Sequence, residues 1–194
     1  CTAKETITNL GALNTTNVTN MNSMFESTGY NAMTSLNLGS NFYTTNVTSM
    51  SYMFEDTGYK AMSTLNLGNN FNTSKLQYMN EMFYQTGYTA MTELNLGSNF
   101  DTSKVTNMRC TFKGTGYNAM KTLTLGTKFN TSSATDMYQM FMDCGYTALT
   151  SLDLGDVFYT SKVEDMSNMF QNTGRTAMTN LDLGPAFTNI APTN

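Results

Sequence analysis

The sequence predicts an α/β repeat solenoid, and three observations support this fold class. One unit of 29 residues recurs six times without insertion or deletion. Phe and Met are confined to fixed positions of that unit. Each unit also contains one apolar pattern with helical spacing and one with strand spacing. A residue type confined in this way fills the same hole in every turn of a stack, so the chain is expected to fold as stacked repeats.

Phenylalanine and methionine define the period. The twelve Phe residues occupy two positions of the unit, and we call residues that lie 29 apart members of one slot. The first Phe slot contains Phe25, Phe54, Phe83, Phe112, Phe141 and Phe170, and the second contains Phe42, Phe71, Phe100, Phe129, Phe158 and Phe187. Every Met except Met142 falls in three slots, the first of which contains Met21, Met50, Met79, Met108, Met137 and Met166.

The first half of each unit predicts a helical or 3-10 turn. Val18, Met21 and Phe25 are spaced as on one face of such a turn, and Met24 joins them. Thr, Asn and Ser occupy most of the other face. A glycine follows four residues after Phe25 in every copy, beginning with Gly29, which suits the left-handed residue that ends many helices.

The second half of each unit predicts a short parallel strand. In the first copy Met33 leads into Leu36 and Leu38, and Gly39 ends the apolar run. The same pattern recurs in every copy. Parallel strands stacked at about 4.8 Å would make the six units a rod roughly 25 to 30 Å long.

This periodicity predicts one solenoid domain over residues 1–194. Residues 1–13 are expected to form a degraded N-terminal half-unit, residues 14–187 the six repeats, and residues 188–194 a C-terminal tail. Parallel strand and helical turn are expected to follow one another once per unit.

The repeat resembles a known family. The order Met33, Leu36, Leu38, Asn41 follows the leucine-rich repeat signature L-x-x-L-x-L-x-x-N. The run F-x-T-S-x-V-x-x-M-x-x-M-F, followed by M-x-x-L-x-L, is similar to the Met-Phe type of BspA-like leucine-rich repeat found in bacterial, mycoplasmal and protist surface proteins. One copy contains Phe100, Thr102, Ser103, Val105, Met108, Phe112, Met120, Leu123 and Leu125, with Thr111 in place of the second Met.

The resemblance implies a right-handed stack, a cell-surface or extracellular location, adhesion to host proteins or other cells, and no catalytic residues. Two features depart from the family pattern. The link T-G-Y-x-A-M replaces the shorter G-C-x-x-L of family units. In the last three copies Lys128, Val157 and Ala186 replace the signature Asn, so a buried Asn ladder is expected to be partial or absent.

Composition and charge exclude several function classes. The net charge of −4 and the pI near 4.6 argue against nucleic acid, which binds basic surfaces. No apolar run approaches the roughly 18 residues of a membrane-spanning helix, so no transmembrane segment is predicted. The chain contains no His, which removes Ser-His-Asp and Cys-His nucleophile pairs and the commonest metal ligand. We therefore predict no enzyme activity, cofactor or metal site.

Cysteine and acidic residues give weak signals. Cys1, Cys110 and Cys144 form no disulfide framework, and Cys110 and Cys144 are predicted to be free and buried. Acidic residues gather in the C-terminal half, as Asp136, Asp143, Asp153, Asp156, Glu164, Asp165 and Asp182. A solvated polar face is the favoured interpretation, and a weak cation site is the alternative.

A tyrosine slot is the candidate binding site. It contains Tyr30, Tyr59, Tyr88, Tyr117 and Tyr146 and ends in Arg175. Tyr and Arg are enriched at binding hot spots, so an aromatic stripe for a protein or glycan is one hypothesis. Packing of each ring against the next turn is the other.

Two further polar patterns recur. The slot that begins at Thr44 contains Thr in five copies, a spacing that raises an ice-binding hypothesis. Alternation of side chains along the neighbouring strand argues against it. Five N-glycosylation sequons lie at Asn14, Asn17, Asn46, Asn72 and Asn130.

These observations favour a non-catalytic cell-surface or secreted module for adhesion or for protein or glycan binding. The expected partners are a host or matrix protein, a glycan, or copies of the chain itself. The alternative is a structural unit of a self-assembling extracellular filament or fibre, because an uncovered end of a repeat stack exposes its core.

Overall fold

Each repeat contributes one short parallel strand. The computed structural model describes residue 7 and residues 10–188. Within this part of the chain there are six strands of three residues, one in each unit: β1 (Ser35–Asn37), β2 (Thr64–Asn66), β3 (Glu93–Asn95), β4 (Thr122–Thr124), β5 (Ser151–Asp153) and β6 (Asn180–Asp182). A 3-10 helix, η1 (Leu10–Ala12), precedes them.

The strands follow the predicted alternation. The central Leu of β1 to β5 points into the core, while the residues on either side are exposed. Strands pair in parallel at a register of one repeat, so that Leu36 lies opposite Leu65. The described strands form three two-stranded sheets, β1–β2, β3–β4 and β5–β6. The predicted parallel strands are thus confirmed, although they pair two by two.

The predicted helical turn is wrong. In the first unit the chain after Val18 folds as consecutive tight turns, in which the Met24 amide donates to the Met21 carbonyl at 3.3 Å and the Thr28 amide to the Phe25 carbonyl at 2.9 Å. Between these turns, the Phe25 amide donates to the Met53 carbonyl of the next unit at 2.9 Å. The described part of the chain contains no α-helix, and its one 3-10 helix lies before the first repeat.

Two left-handed residues in each turn segment prevent a helix. Ser23 has φ 56° and Ser27 has φ 52°, whereas an α-helix needs negative φ throughout. Ser, Thr and Asn are also poor residues for a helix interior because their side chains compete for backbone hydrogen bonds. The helix-like spacing of Val18, Met21 and Phe25 arises because successive turns bring the same side of the chain inward. The α/β assignment is therefore corrected to short strands and turns with little helix.

The glycine that follows the first Phe slot has the predicted left-handed conformation, but it does not end a helix. Gly29 has φ 61°, and the other members of its slot are also left-handed. It precedes a further turn, in which the Met33 amide donates to its carbonyl at 3.2 Å. The conformation expected at a helix end is therefore used here to close one turn and begin another.

The core consists of columns of identical side chains. Rings of the first Phe slot stack nearly parallel, with centroids 5.4 Å apart between Phe54 and Phe83. Rings of the second slot are 6.2 Å apart between Phe100 and Phe129, and tilted contacts connect the two columns. Met and Leu slots complete the buried cluster. The prediction that these slots fill the interior is confirmed.

The turns form a second hydrogen-bonded surface, which we call the turn face. It consists of residues 20–29 and the equivalent residues of the other units. Isolated parallel bridges run without a break through Asn20, Ser49, Tyr78, Asn107, Asp136 and Asp165. All six units are therefore joined along the turn face, whereas the strands are joined only in pairs.

Buried threonines connect the units through their hydroxyls. Thr44 donates to the Asn72 carbonyl at 2.8 Å, and Thr73 to the Asp101 carbonyl at 2.9 Å. A second slot behaves in the same way, since Thr86 donates to the Phe54 carbonyl at 2.7 Å. The Thr44 slot thus points into the stack, which removes the exposed Thr array on which the ice-binding hypothesis depended.

Candidate functional site

The outward residues of the strands form an extended polar surface, which we call the strand face. All of its side chains are exposed. They are Ser35, Asn37, Thr64, Asn66, Glu93, Asn95, Thr122, Thr124, Ser151, Asp153, Asn180 and Asp182. Several of them also fix the turn that follows the strand, as when Asn37 Oδ1 accepts the Gly39 amide at 2.9 Å.

Two clefts open on the strand face. One, of about 570 Å³, is lined by β1 to β3, and the other, of about 670 Å³, by β4 to β6. They include the positions where consecutive strand pairs meet without ladder hydrogen bonds. On the N-terminal side of each break Leu65 and Leu123 are 7% and 6% exposed, whereas Leu94 and Leu152 on the C-terminal side are each 1% exposed. Each cleft therefore combines polar walls with a small apolar floor, as ligand sites commonly do.

The predicted tyrosines form a continuous stack, which we call the tyrosine ladder. It contains Tyr30, Tyr59, Tyr88, Tyr117 and Tyr146, with centroids 4.6 to 4.7 Å apart and ring planes within 11° of parallel. All five rings are half-buried. Neighbouring rings cover each other's faces, so the ladder presents ring edges and hydroxyls to a partner. Each ring packs against the ring of the next unit, as the packing hypothesis states, and binding of a protein or glycan stays a prediction.

The pKa of each inner hydroxyl of the ladder, those of Tyr59, Tyr88 and Tyr117, is raised, chiefly by burial. Burial, followed by the neighbouring Tyr59 and Tyr117, raises the pKa of Tyr88 to about 12. The Tyr88 hydroxyl is consequently neutral at physiological pH and can both donate and accept hydrogen bonds. Arg175, which ends the slot, is exposed and donates from Nη1 to Asn172 Oδ1 at 2.9 Å.

The five sequons differ in accessibility. Asn14 and Asn17 are exposed, whereas Asn46, Asn72 and Asn130 are half-buried. Asn46 is also engaged on both sides of its amide: its Nδ2 donates to the Thr16 carbonyl at 2.8 Å, and its Oδ1 accepts from Lys75 Nζ at 2.7 Å. A glycan at Asn46 would be attached to the nitrogen that makes the first of these bonds, so Asn14 and Asn17 are the more accessible positions.

The turn face carries an acidic cluster that sequence analysis missed. Glu55 and Asp56 are adjacent in sequence, and stacking brings Glu26 and Glu81 of the two neighbouring units close to them. Burial, then Glu81, Glu26 and Asp56, raises the pKa of Glu55 to about 7. Burial and Glu26 also raise the pKa of Asp56, whose buried Oδ1 has no hydrogen-bond partner.

A polar network adjoins this cluster. Lys113 Nζ donates to Gln139 Oε1 at 2.7 Å, and the Cys110 thiol lies 3.8 Å from the same oxygen. The Arg109 guanidinium covers the Tyr138 ring at 3.9 Å. Burial and then Glu81 raise the pKa of the Cys110 thiol, and burial raises that of Cys144. Cys110 and Cys144 are free and buried, as predicted, and neither is activated as a nucleophile.

The C-terminal acidic residues do not converge. Asp153 and Asp182 lie opposite each other in the β5–β6 pair, but each accepts the amide of a following glycine, Gly155 at 2.8 Å and Gly184 at 3.0 Å. Within the described part of the chain, no group of three or more His, Cys, Asp or Glu side chains could hold a metal ion. These contacts fit the interpretation of Asp153 and Asp182 as turn-forming residues on a solvated face.

Comparison with known proteins places the repeat in a family. The sequence matches the family described as "Mycoplasma protein of unknown function, DUF285" over residues 1–115 and 86–183. The chain belongs to the DUF285 family. Together the two DUF285 matches cover the six strands, the tyrosine ladder, the first cleft and most of the second. No curated protein and no solved structure matches the chain.

Membership of the DUF285 family supports the resemblance at a coarse level. The match identifies the chain with a Mycoplasma family, and the structure shows repeating units with parallel strands. In the described part of this DUF285 chain, no helix is long and apolar enough to cross a bilayer.

Proposed function

We propose that this chain is a non-catalytic cell-surface or secreted repeat module that binds a protein or glycan through its strand face. We further propose that the stack is a right-handed solenoid of the BspA-like leucine-rich repeat type. The sixfold Met-Phe motif and one parallel strand per unit support this assignment. Membership of a Mycoplasma family is compatible with the surface location that the motif implies.

The observation that carries the proposal is the composition of the strand face. Every outward strand position is polar and exposed, and equivalent positions recur from unit to unit. A repeated row of similar groups suits an extended ligand, which can contact several units at once. The two clefts add depth and a limited apolar floor to this surface.

The tyrosine ladder is proposed as a secondary contact. Because neighbouring rings cover one another, Tyr59, Tyr88 and Tyr117 have no free face on which a sugar ring could stack, and only Tyr30 and Tyr146 have a face without a tyrosine partner. The intervening hydroxyls and Arg175 can contribute hydrogen bonds. We therefore propose that the strand face supplies most of the binding energy and that the ladder mainly stabilises the stack.

Binding screens with matched variants test the proposal. The 194-residue chain would be applied to a glycan array and to a panel of immobilised matrix glycoproteins. Thr64→Arg combined with Glu93→Arg changes the walls of the first cleft at exposed positions. We expect it to weaken binding of any ligand found by at least about tenfold, with little change in melting temperature.

Tyr88→Ser combined with Tyr117→Ser is the matched ladder variant. It removes three of the four ring contacts of the ladder. We expect a clear loss of stability and a loss of affinity of the folded protein that is much smaller than that of the cleft variant. Absence of any ligand from both panels, or binding that responds to the ladder variant and not to the cleft variant, would contradict the proposal.

The filament alternative receives less support. Head-to-tail growth needs two open, complementary ends. In the first unit the core residues Phe25, Met33 and Leu36 are 4%, 0% and 2% exposed, so this end is largely covered. Met24 and Leu13 are the large apolar residues exposed there, at 38% and 43%.

A further inference from the structure

A row of asparagines along the first cleft presents free amide donors. Asn37, Asn66 and Asn95 line this cleft and occupy one slot of the repeat. Each Oδ1 accepts the amide of the glycine two residues later, at 2.9 Å in all three units. This turn fixes the side chain, and no group of the described chain accepts a hydrogen bond from the three Nδ2 atoms. Three oriented donors therefore stand along the cleft at a spacing of one repeat.

The break between β2 and β3 leaves main-chain groups without partners in the same cleft. In the β1–β2 pair the Leu38 amide donates to the Asn66 carbonyl at 3.0 Å. One repeat later the equivalent groups are the Leu67 amide and the Asn95 carbonyl, and among the described residues neither makes a hydrogen bond. Both residues line the cleft, although Leu67 is only 4% exposed. Buried main-chain groups are rarely left unpaired, so these two require a partner from outside the chain.

A sugar hydroxyl suits this pair of groups better than a peptide strand does. A hydroxyl both accepts and donates, so a single oxygen can accept from the Leu67 amide and donate to the Asn95 carbonyl. A peptide strand inserted at the break would need about 4.8 Å on each side. Cα atoms of β2 and β3 already lie within 8 Å of each other, so an inserted strand would force the two units apart.

The charge of the first cleft selects against anionic ligands. Among the described residues that line it, Glu93 is the one charged residue. Sulfate, phosphate and carboxylate groups are bound chiefly by Arg and Lys, and this lining contains neither. The volume of about 570 Å³ is in the range of small-ligand sites, and Leu36 and Leu65 supply an apolar floor for the C–H face of a sugar ring.

We propose that the first cleft binds an uncharged oligosaccharide that lies along the stack across β1, β2 and β3. Its hydroxyl oxygens accept from the row of Asn Nδ2 donors, and one hydroxyl bridges the Leu67 amide and the Asn95 carbonyl. This assignment rests on the proposed function of the strand face and specifies the ligand class of that face.

The second cleft shares the unpaired main chain but lacks the donor row. In that part of the described chain the Leu125 amide and the Asp153 carbonyl are the equivalent groups, and neither makes a hydrogen bond. The slot of the asparagines holds Thr124, Asp153 and Asp182 in these units, so carboxylate acceptors replace two of the amide donors. We therefore expect the same saccharides to bind the second cleft less tightly than the first.

An array identifies the ligand, and Asn66→Asp tests the donor row. The 194-residue chain would be applied to an array of uncharged, sialylated and sulfated oligosaccharides, and calorimetry would measure its affinity for the best uncharged one. Asp153, in the slot of Asn66, accepts the Gly155 amide at 2.8 Å, so aspartate keeps the turn while an acceptor replaces the donor. We expect Asn66→Asp to weaken the affinity by about tenfold or more.

Asn72→Asp is the matched control in the same unit. Asn72 is outside the lining of the cleft, and its Oδ1 accepts the Ser74 amide at 3.0 Å. Asp101, in the same slot, accepts the Ser103 amide at 2.9 Å, so aspartate is compatible with this turn as well. The control adds the same charge as Asn66→Asp, and it should leave the affinity unchanged.

Replacement of Leu67 by its α-hydroxy acid tests the main-chain donor. This change converts the amide into an ester, so it removes the N–H group and keeps the leucine side chain. The affinity should fall about three- to tenfold, because one hydrogen bond to the saccharide is lost. The same change at Leu38 is the control. It removes the hydrogen bond to the Asn66 carbonyl, so it should lower the melting temperature more and leave the affinity unchanged.

The outcomes distinguish this assignment from the proposed function. Binding of an uncharged saccharide that both Asn66→Asp and the Leu67 ester weaken would support it. A ligand that responds to Thr64→Arg with Glu93→Arg but is an anionic saccharide, or a protein that still binds after enzymatic deglycosylation, would overturn it and leave the strand-face function standing. Uncharged-saccharide binding that either change at Asn66 or Leu67 leaves unaltered would also overturn it. Binding that responds to no cleft variant, or no binding at all, would overturn both.

Discussion

The turn face and the strand face hold the same six units together in different ways. On the turn face, backbone bridges pass through every unit from Asn20 to Asp165. On the strand face, ladders join the described strands two by two. Both surfaces repeat with the same period, so the sequence period alone does not determine which surface joins all six units by backbone hydrogen bonds.

The difference shows which surface of the molecule holds neighbouring units together. Buried rings and hydroxyl bonds lie between all neighbouring units, and the turn face adds a continuous hydrogen-bonded layer. The strand face is therefore less constrained, and it can leave clefts where pairs of units meet. Four predictions test this division, from the largest expected effect to the smallest.

Removal of one ring from the first Phe column should have the largest effect. Phe83 is fully buried and stacks on Phe54 at 5.4 Å and on Phe112 at 5.5 Å. We expect Phe83→Ala to lower the free energy of unfolding by about 3 to 5 kcal/mol, measured by urea denaturation. Phe187→Ala, at the half-buried end of the other column, is the control and should cost less. Equal costs would show that the column does not hold the stack together.

Paired glycines test the two-by-two arrangement of the strands. Gly68 and Gly97 have nearly the same φ, 77° and 79°, so alanine is strained at both, by about 1 to 2 kcal/mol. A Cβ at Gly68 would also collide with the Gly39 carbonyl, whereas a Cβ at Gly97 meets nothing within 4 Å. Gly68→Ala should therefore destabilise the protein by about 1 to 3 kcal/mol more than Gly97→Ala in the same denaturation assay. Identical effects would mean that the strand pairs are equally spaced.

Thr86 and Cys144 share a buried slot, and substitutions at these two positions should change stability in opposite directions. Thr86→Val removes the hydrogen bond to the Phe54 carbonyl, which keeps the Thr57 amide as a partner, so we expect a cost of about 1 kcal/mol. Cys144 occupies the same slot without a hydroxyl. Cys144→Thr should add the equivalent bond to the Phe112 carbonyl and stabilise the protein by about 1 kcal/mol. Thermal unfolding of the two variants beside the parent checks both signs, and destabilisation by Cys144→Thr would show that the slot differs in this unit.

The acidic cluster on the turn face should make stability depend on pH. The folded-state pKa of Glu55, about 7, lies above its ordinary value of 4.5, so the folded protein binds more protons between these limits. This contribution is present below about pH 4.5 and is lost as the pH rises through 7. Glu55→Gln should reduce this dependence, and Glu26→Gln, which removes one facing charge, should move it to lower pH. Melting temperatures between pH 4 and 8 measure both effects, and an unchanged profile in Glu55→Gln would contradict the assignment.

The sequence by itself determined the repeat, its core slots and the position of each strand. This was possible because identical residues at one spacing must fill identical surroundings, and Leu36, Phe25 and Phe42 are buried as that argument requires. The tyrosine ladder was also predictable as a stack, since Tyr30 and Tyr59 share a slot. Local spacing was a poorer guide, because Val18, Met21 and Phe25 indicated a helix where the chain forms turns.

Tertiary structure alone decided the rest. Left-handed residues such as Ser23 are not visible in an apolar pattern, and the hydrogen bonds that favour turns over helix connect different units. The clefts follow from how neighbouring strands are spaced, and the acidic cluster exists because stacking places Glu26 beside Glu55 and Asp56 of the next unit. A strict period specifies which residues share an environment, whereas packing between units determines what that environment is.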